Sequence, residues 1–371
     1  MHRSALFRGL GAALAAALAV LGSTAAVPAA ASTARPHAAA TNPVSVGPNA
    51  YGMALGRDGS RAYIAINGSD QAGQTAQVAV VDTATRSVVT TVSLPLRNQW
   101  VSEVVVSHDG RRVYVLGGAA VTVLDAATNT AVATYPAPDQ PRPAGWYQGS
   151  LRSVALSQDD SAIYLGQDGP TAFRQQGNGR VVVLAAATGA AIGTVPIASP
   201  YVHGIAFEPD GRTAYVSGNP GGLTHLDVTA TPPTVVRTVP QPAGENGSDG
   251  IALSPDGRTL YSIVTNSGLI HVIDTGTDTI TSNLTFATGF ADLRYPTPSP
   301  DGGSLYVVDD EVSNPTVLVF DLASGTITDT IDPLIEDVWG LAQAPDGGTL
   351  YASGADFQPA TGFLSTLPLD R

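Results

Sequence analysis

One supersecondary unit recurs seven times along the chain, and that repetition restricts the folds open to it more than any other feature. The unit is an apolar strand, an Asp-Gly turn and a second strand carrying a tyrosine. The turn aspartates and their tyrosines are Asp58 with Tyr63, Asp109 with Tyr114, Asp159 with Tyr164, Asp210 with Tyr215, Asp256 with Tyr261, Asp301 with Tyr306, and Asp346 with Tyr351. Successive tyrosines lie 51, 50, 51, 46, 45 and 45 residues apart. A β-rich unit of that length is the size of one propeller blade.

Each unit reads as four strands. In the fifth copy, residues 250–253 form strand a and Pro255-Asp256-Gly257 makes the turn. Residues 259–264, 269–273 and 279–284 then supply strands b, c and d, rich in Val, Ile, Thr and Tyr. No stretch after the leader shows a helical period. The fold expected is all-β, a seven-bladed propeller of four-stranded antiparallel blades. The seventh copy runs short of a fourth strand, and residues 43–47 form a strand with no unit of their own. The N-terminal strand is therefore expected to complete the last blade and remove an open edge. Two blades depart from the pattern. The third has Asp160 in place of the turn glycine and Leu184-Ala185-Ala186 where others have Asp. The sixth has Pro296 and Pro298 inside strand a. Both should be locally irregular.

The string Gly-Ile-Ala-Leu-Ser-Pro-Asp-Gly-Arg-Thr-Leu-Tyr at 250–261, followed by Val272-Ile-Asp274, resembles the repeat of the YVTN family of β-propellers. The resemblance covers about residues 43–371. It implies the propeller fold and leaves function open, because similar repeats occur in surface-layer proteins, lactonases, the haem-binding propeller of nitrite reductases and secreted proteins of unassigned role.

Composition removes several chemistries. There is no cysteine, and all 18 basic residues are arginine. Disulfides, thiol nucleophiles, cysteine-ligated metals, Schiff bases and a P-loop lysine are excluded. A net charge of −13 argues against nucleic-acid partners. Residues 1–31 read as a secretory signal peptide: Arg3 and Arg8, a short apolar run, then Ala29-Ala30-Ala31. The run is too short for a good membrane span. Residues 32–42 read as a disordered leader, and 43–371 as the propeller. The expected product is secreted, monomeric and without a membrane anchor.

Internal repetition separates scaffold from candidate site. The tyrosine column, the turn aspartates and the aspartates ending strand c (Asp82, Asp125, Asp227, Asp274, Asp321) answer one packing demand repeatedly, so they are scaffold. Seven residues before each turn aspartate the column diverges: Tyr51, Ser102, Arg152, His203, Asp249, Arg294, Trp339. The next column reads Gly52, Glu103, Ser153, Gly204, Gly250, Tyr295, Gly340. This ring should sit at the mouth of the central channel. His203 and Asp249 come from adjacent blades and could form a base with its orienting carboxylate, with Arg152 beside them to hold an anion or carbonyl oxygen. These three are the candidate catalytic residues. Tyr51, Glu103, Arg294 and Trp339 are candidate ligand contacts, as are Trp146 and Tyr147 on the long proline-rich link 136–149. His225 and His271 lie in c strands and read as core or blade surface. His108 sits in a turn and should be exposed.

Acids gather on blades six and seven. Asp292, Glu336 and Asp337 are candidate ligands for a divalent cation, calcium or magnesium. Solvated surface charge is the plainer reading, since no EF-hand spacing occurs. The leading functional expectation is a binding or interaction module that holds a small molecule, glycan or protein at the channel mouth. The alternative is a lactonase-like hydrolase or lyase using His203 with a carboxylate or metal. A haem or redox carrier is the third, disfavoured because only His203 stands where an axial ligand could.

Overall fold

The turn residues dictate the local structure, and they do so seven times. In every copy the turn aspartate accepts a hydrogen bond from the amide two residues on, at 2.8 to 3.1 Å. The residue after it takes a left-handed conformation. It is glycine in six copies, with φ between 70° and 73°, and Asp160 in the third, with φ 57°. Asp160 is tolerated there for a visible reason. Its carboxylate accepts from the amides of His108 (2.9 Å) and Asp109 (3.0 Å) and contacts His108 Nδ1 at 2.7 Å. The lost glycine is thus replaced by a stitch to the preceding turn. His108 is partly buried by this pairing, which corrects the expectation of an exposed histidine.

The computed structural model describes residues 40–67, 75–97, 100–239, 242, 245, 247–264, 266–286, 292–310, 314–357 and 360–369. The signal-peptide and most of the leader assignments lie outside the described residues. Seven four-stranded antiparallel sheets form the blades. Their innermost strands are Ala50–Leu55, Val101–Val106, Leu151–Leu156, Tyr201–Phe207, Ser248–Leu253, Leu293–Pro298 and Asp337–Gln343. Each innermost strand packs beside the next, including the last against the first, so the ring closes. In blade five the strands run Ser248–Leu253, Thr259–Val264, Leu269–Asp274 and Thr279–Thr285, within two residues of the sequence reading. Among the described residues there is no helix long and apolar enough to cross a membrane.

Closure follows the sequence expectation. The strand Thr41–Gly47 pairs antiparallel with Ala360–Pro368, Val44 opposite Leu364 and Ser45 opposite Phe363. It begins two residues earlier than its expected start, and it is the outer strand of blade seven.

The core lies between blades. All seven repeat tyrosines are buried, from Tyr215 at 0% exposure to Tyr351 at 7%. A buried hydroxyl needs a partner. The Tyr215 hydroxyl donates to Asp278 at 2.5 Å. Asp278 belongs to the following blade, so Tyr215 latches blades four and five together. The strand-c aspartates cap their turns: Asp82 accepts from the Thr85 amide, Asp274 from Thr277, Asp321 from Ser324. Blade three, lacking that aspartate, closes its turn with backbone bonds from the Gly189 and Thr188 amides to the Ala185 carbonyl, at 2.7 and 3.2 Å. Blade six is irregular where its prolines predict, with Tyr295 at φ 54°.

Candidate functional site

Every innermost strand carries a β-bulge at the same place. The ladder skips between Ala50 and Met53, Val101 and Glu103, Leu151 and Ser153, Val202 and Gly204, Ser248 and Gly250, Arg294 and Thr297, and Val338 and Gly340. The divergent column falls inside or beside each skip. A bulge takes one residue out of the ladder and re-aims its side chain. The following position is mostly glycine because neighbouring strands approach closely there: a Cβ on Gly52 would lie 2.3 Å from the Ser102 carbonyl.

The bulges bring Tyr51, Ser102, Arg152, His203 and Trp339, with Glu103 and Tyr295, around one cavity of about 660 Å³. Arg294 lies in a second cavity instead. Asp249 sits on the innermost strand of blade five, but its side chain is outside the described residues, so its pairing with His203 is too.

The cavity has two unlike arcs. On the side of blades seven, one and two the wall is aromatic. Tyr51 meets Trp100 edge to face, centroids 4.5 Å apart, and lies 5.2 Å from Trp339. Trp100 is 58% exposed, and its carbonyl accepts from the Gly118 amide at 2.8 Å. On the side of blades three and four the wall is polar, with Arg152 and His203. Arg152 Nε donates to Asp168 Oδ2 at 2.7 Å, and Asp168 is itself buried. The other Asp168 oxygen accepts from the Val202 amide at 3.1 Å, on the innermost strand of blade four. Sequence reasoning missed both Trp100 and Asp168. The signal for Trp100 was its place two residues before Ser102, as one of only three tryptophans.

Glu103 is the acid on this wall. Its Oε2 accepts from the Val154 amide at 2.6 Å. It is half-buried in the cavity wall, and burial pushes its carboxyl up to about 8, against a lowering by that amide. Tyr295, desolvated nearby, has its hydroxyl pushed far above the usual value by burial.

A second cavity of about 410 Å³ shares Trp339 and is lined by Asp292, Arg294, Asp310, Glu336, Asp337 and Phe357. The three candidate cation ligands, Asp292, Glu336 and Asp337, do meet here. Each already has a protein partner. Asp292 contacts Arg294 Nη2 at 2.5 Å, Asp337 accepts from the Trp339 indole at 2.7 Å, and Glu336 accepts from the Phe357 amide at 2.8 Å. Arg294 also reaches Asp310 at 2.9 Å and lies over the Trp339 ring, 5.2 Å from its centroid. Burial, then the charge of Asp337, pushes the Asp310 carboxyl up to about 7. The cation in this cluster is Arg294, and among the described residues no group of three or more His, Asp or Glu is arranged to hold a metal ion.

Trp146 and Tyr147 line neither cavity. Tyr147 pairs through its backbone with Thr171, at 2.8 and 3.0 Å, on a short hairpin of Thr171–Ala172 and Gln175–Gln176. The Tyr147 ring is 75% exposed and Phe173 at the hairpin tip 87%. His225 and His271 are buried between blades, as their c-strand positions imply. His225 Nδ1 lies 2.8 Å from Asp278, and His271 sits between Asn283 and Glu245 at 2.7 Å each.

No protein-family model matches the chain, and no curated protein matches it. Among solved structures the fold is similar to that of a chain titled Kuenenia stuttgartiensis hydrazine synthase. The TM-score is 0.65 and the identity 16%, over 90% of this chain and 98% of that one. At that identity the likeness concerns the fold alone.

Proposed function

We propose that this is a secreted, YVTN-type propeller that binds a small carbohydrate at the channel mouth. One observation carries the reading: Tyr51, Trp100 and Trp339 form an aromatic wall in the same cavity as Arg152, His203, Ser102 and Glu103. A sugar ring has an apolar face that stacks on aromatic rings and an edge of hydroxyls that needs fixed donors and acceptors. The two arcs offer those two surfaces, and about 660 Å³ lies in the range of small-ligand pockets. Tyr51, Ser102, Arg152, His203 and Trp339 come from the bulges of successive blades, so the scaffold positions them. The test is a panel of neutral methyl pyranosides, uronates and amino sugars, followed by intrinsic tryptophan fluorescence. Saturable change with at least one neutral pyranoside supports the reading. A flat response across the panel removes it.

A second reading is hydrolysis at the same mouth, with His203 as base. Glu103 favours it, since a carboxyl that stays protonated to about 8 is the acid such a site needs. Turnover of an aryl ester or lactone, lost in both His203→Ala and Glu103→Gln, would select it over simple binding.

A further inference from the structure

Glu103 stands out against its own column. The equivalent positions in four blades are glycine (Gly52, Gly204, Gly250, Gly340), and the others are Ser153 and Tyr295. Among the described residues, the structural service Glu103 performs is to cap the Val154 amide on the innermost strand of blade three. Among the described residues, no other innermost strand has the equivalent amide, that of Met53, Val104, Ile205, Ile251 or Leu341, capped by a side chain. A demand that the other blades leave unmet does not explain a carboxyl placed in the cavity wall. Among the described residues only Oε2 is engaged, and the group borders the cavity.

We propose that Glu103 determines the specificity of the channel-mouth site: with Oε2 fixed by the Val154 amide, its other oxygen carries a hydroxyl that donates to an acceptor oxygen of the bound sugar. This rests on the carbohydrate reading and goes beyond it, because it names the donor and the selectivity. A neutral carboxyl gives no attraction to an ammonium, so neutral pyranosides are preferred over amino sugars. Burial supplies the protonation at neutral pH. The ionisable and charged side chains sharing this cavity are Tyr51 from blade one, Arg152 from blade three, His203 from blade four and Tyr295 from blade six. None of them appears among the causes of the Glu103 shift, which are its burial and the Val154 amide.

Binding needs the protonated form, so affinity is level below pH 7 and falls above 8. Between pH 7 and 9 the loss is about tenfold. Glutamine keeps both an acceptor for Val154 and a donor for the ligand, whereas leucine keeps neither. The experiment titrates wild type, Glu103→Gln and Glu103→Leu with the tightest-binding neutral methyl pyranoside of the panel, from pH 6 to 9.5. In parallel, carboxyl ¹³C NMR follows the chain's five glutamates. The expected result is an alkaline loss in wild type, a flat profile at wild-type neutral affinity in Glu103→Gln, binding lost in Glu103→Leu, and one glutamate titrating near 8. The proposal is overturned if Glu103→Gln keeps the wild-type alkaline loss, if Glu103→Leu binds normally, or if the Glu103 carboxyl titrates in the ordinary range. Wild type that binds no pyranoside at any pH removes the carbohydrate reading, and Glu103 as its contact with it. Binding with the wrong pH profile removes only the role of Glu103.

Discussion

Arg152 is held at 2.7 Å by the buried carboxylate of Asp168, which also accepts the Val202 amide of the next blade at 3.1 Å. One residue on strand b's exit therefore sets both the guanidinium at the channel mouth and the seam between blades three and four. Replacing Asp168 by alanine leaves the Val202 amide without its acceptor and frees Arg152. Chemical denaturation should show a loss of about 1–3 kcal/mol, and pyranoside affinity should fall about tenfold. Arg152→Gln should lower affinity while leaving the denaturation midpoint near wild type, since Arg152 is half-exposed. Equal effects of the two changes on stability would contradict this division.

Ring closure depends on a strand from the opposite end of the chain. Deleting residues 41–47 uncovers the outer edge of Ala360–Pro368. That edge invites association, and the loss of pairing lowers stability. Deleting residues 32–39 should leave the melting temperature unchanged. Thermal melts of both, with light scattering for aggregation, check this. Matching melting temperatures would overturn the closure account.

The Tyr215 latch is structural. The Tyr215 hydroxyl bonds a buried carboxylate that also meets His225 and Arg237. Tyr215→Phe should cost about 1.5–3 kcal/mol, the range for a hydrogen bond to a charged group. Pyranoside binding should not change, which a titration of the variant measures directly.

Much of this was legible because repetition exposes it. Asp58, Tyr63 and their six counterparts solve one local problem each, so the same residues reappear at the same spacing. The divergent column was legible for the opposite reason: Tyr51, Arg152, His203 and Trp339 break a pattern that packing alone would repeat. Trp100 and Asp168 escaped notice because they stand just outside strands, where link lengths vary and no column can be aligned. The neutrality of Glu103 escaped too, since burial of a carboxyl depends on what surrounds it in space. The acids of blades six and seven read as open to a cation because Arg294's place among them, between Asp292 and Asp310, is a tertiary fact.

Stability should depend on pH in two opposite ways. In Asp109, Asp159, Asp256 and Asp301 a serine hydroxyl and a backbone amide hold the carboxyl below its ordinary value near 3.8. Such groups stabilise the fold above that value, and the contribution is lost as pH falls through their lowered values. Glu103 has the reverse sign. Its folded carboxyl titrates near 8 against 4.5 ordinarily, so the unfolded chain gives up its proton first and stability falls as pH rises between the two. Glu103→Gln should therefore be more stable than wild type at pH 7.5, by at most a few kcal/mol, and equal to it at pH 4. Denaturation at the two values decides, and a difference independent of pH would contradict the assignment.

Three tryptophans report whether ligand enters the aromatic mouth: Trp100 and Trp339 line the cavity, and Trp146 lies outside it. Trp146→Phe and the double variant Trp100→Phe/Trp339→Phe are each titrated with the neutral pyranoside panel while indole emission is followed. The account predicts a saturable change in Trp146→Phe and none in the double variant. A response from the protein that retains only Trp146, with none from Trp146→Phe, would place the ligand on the proline-rich link and contradict it.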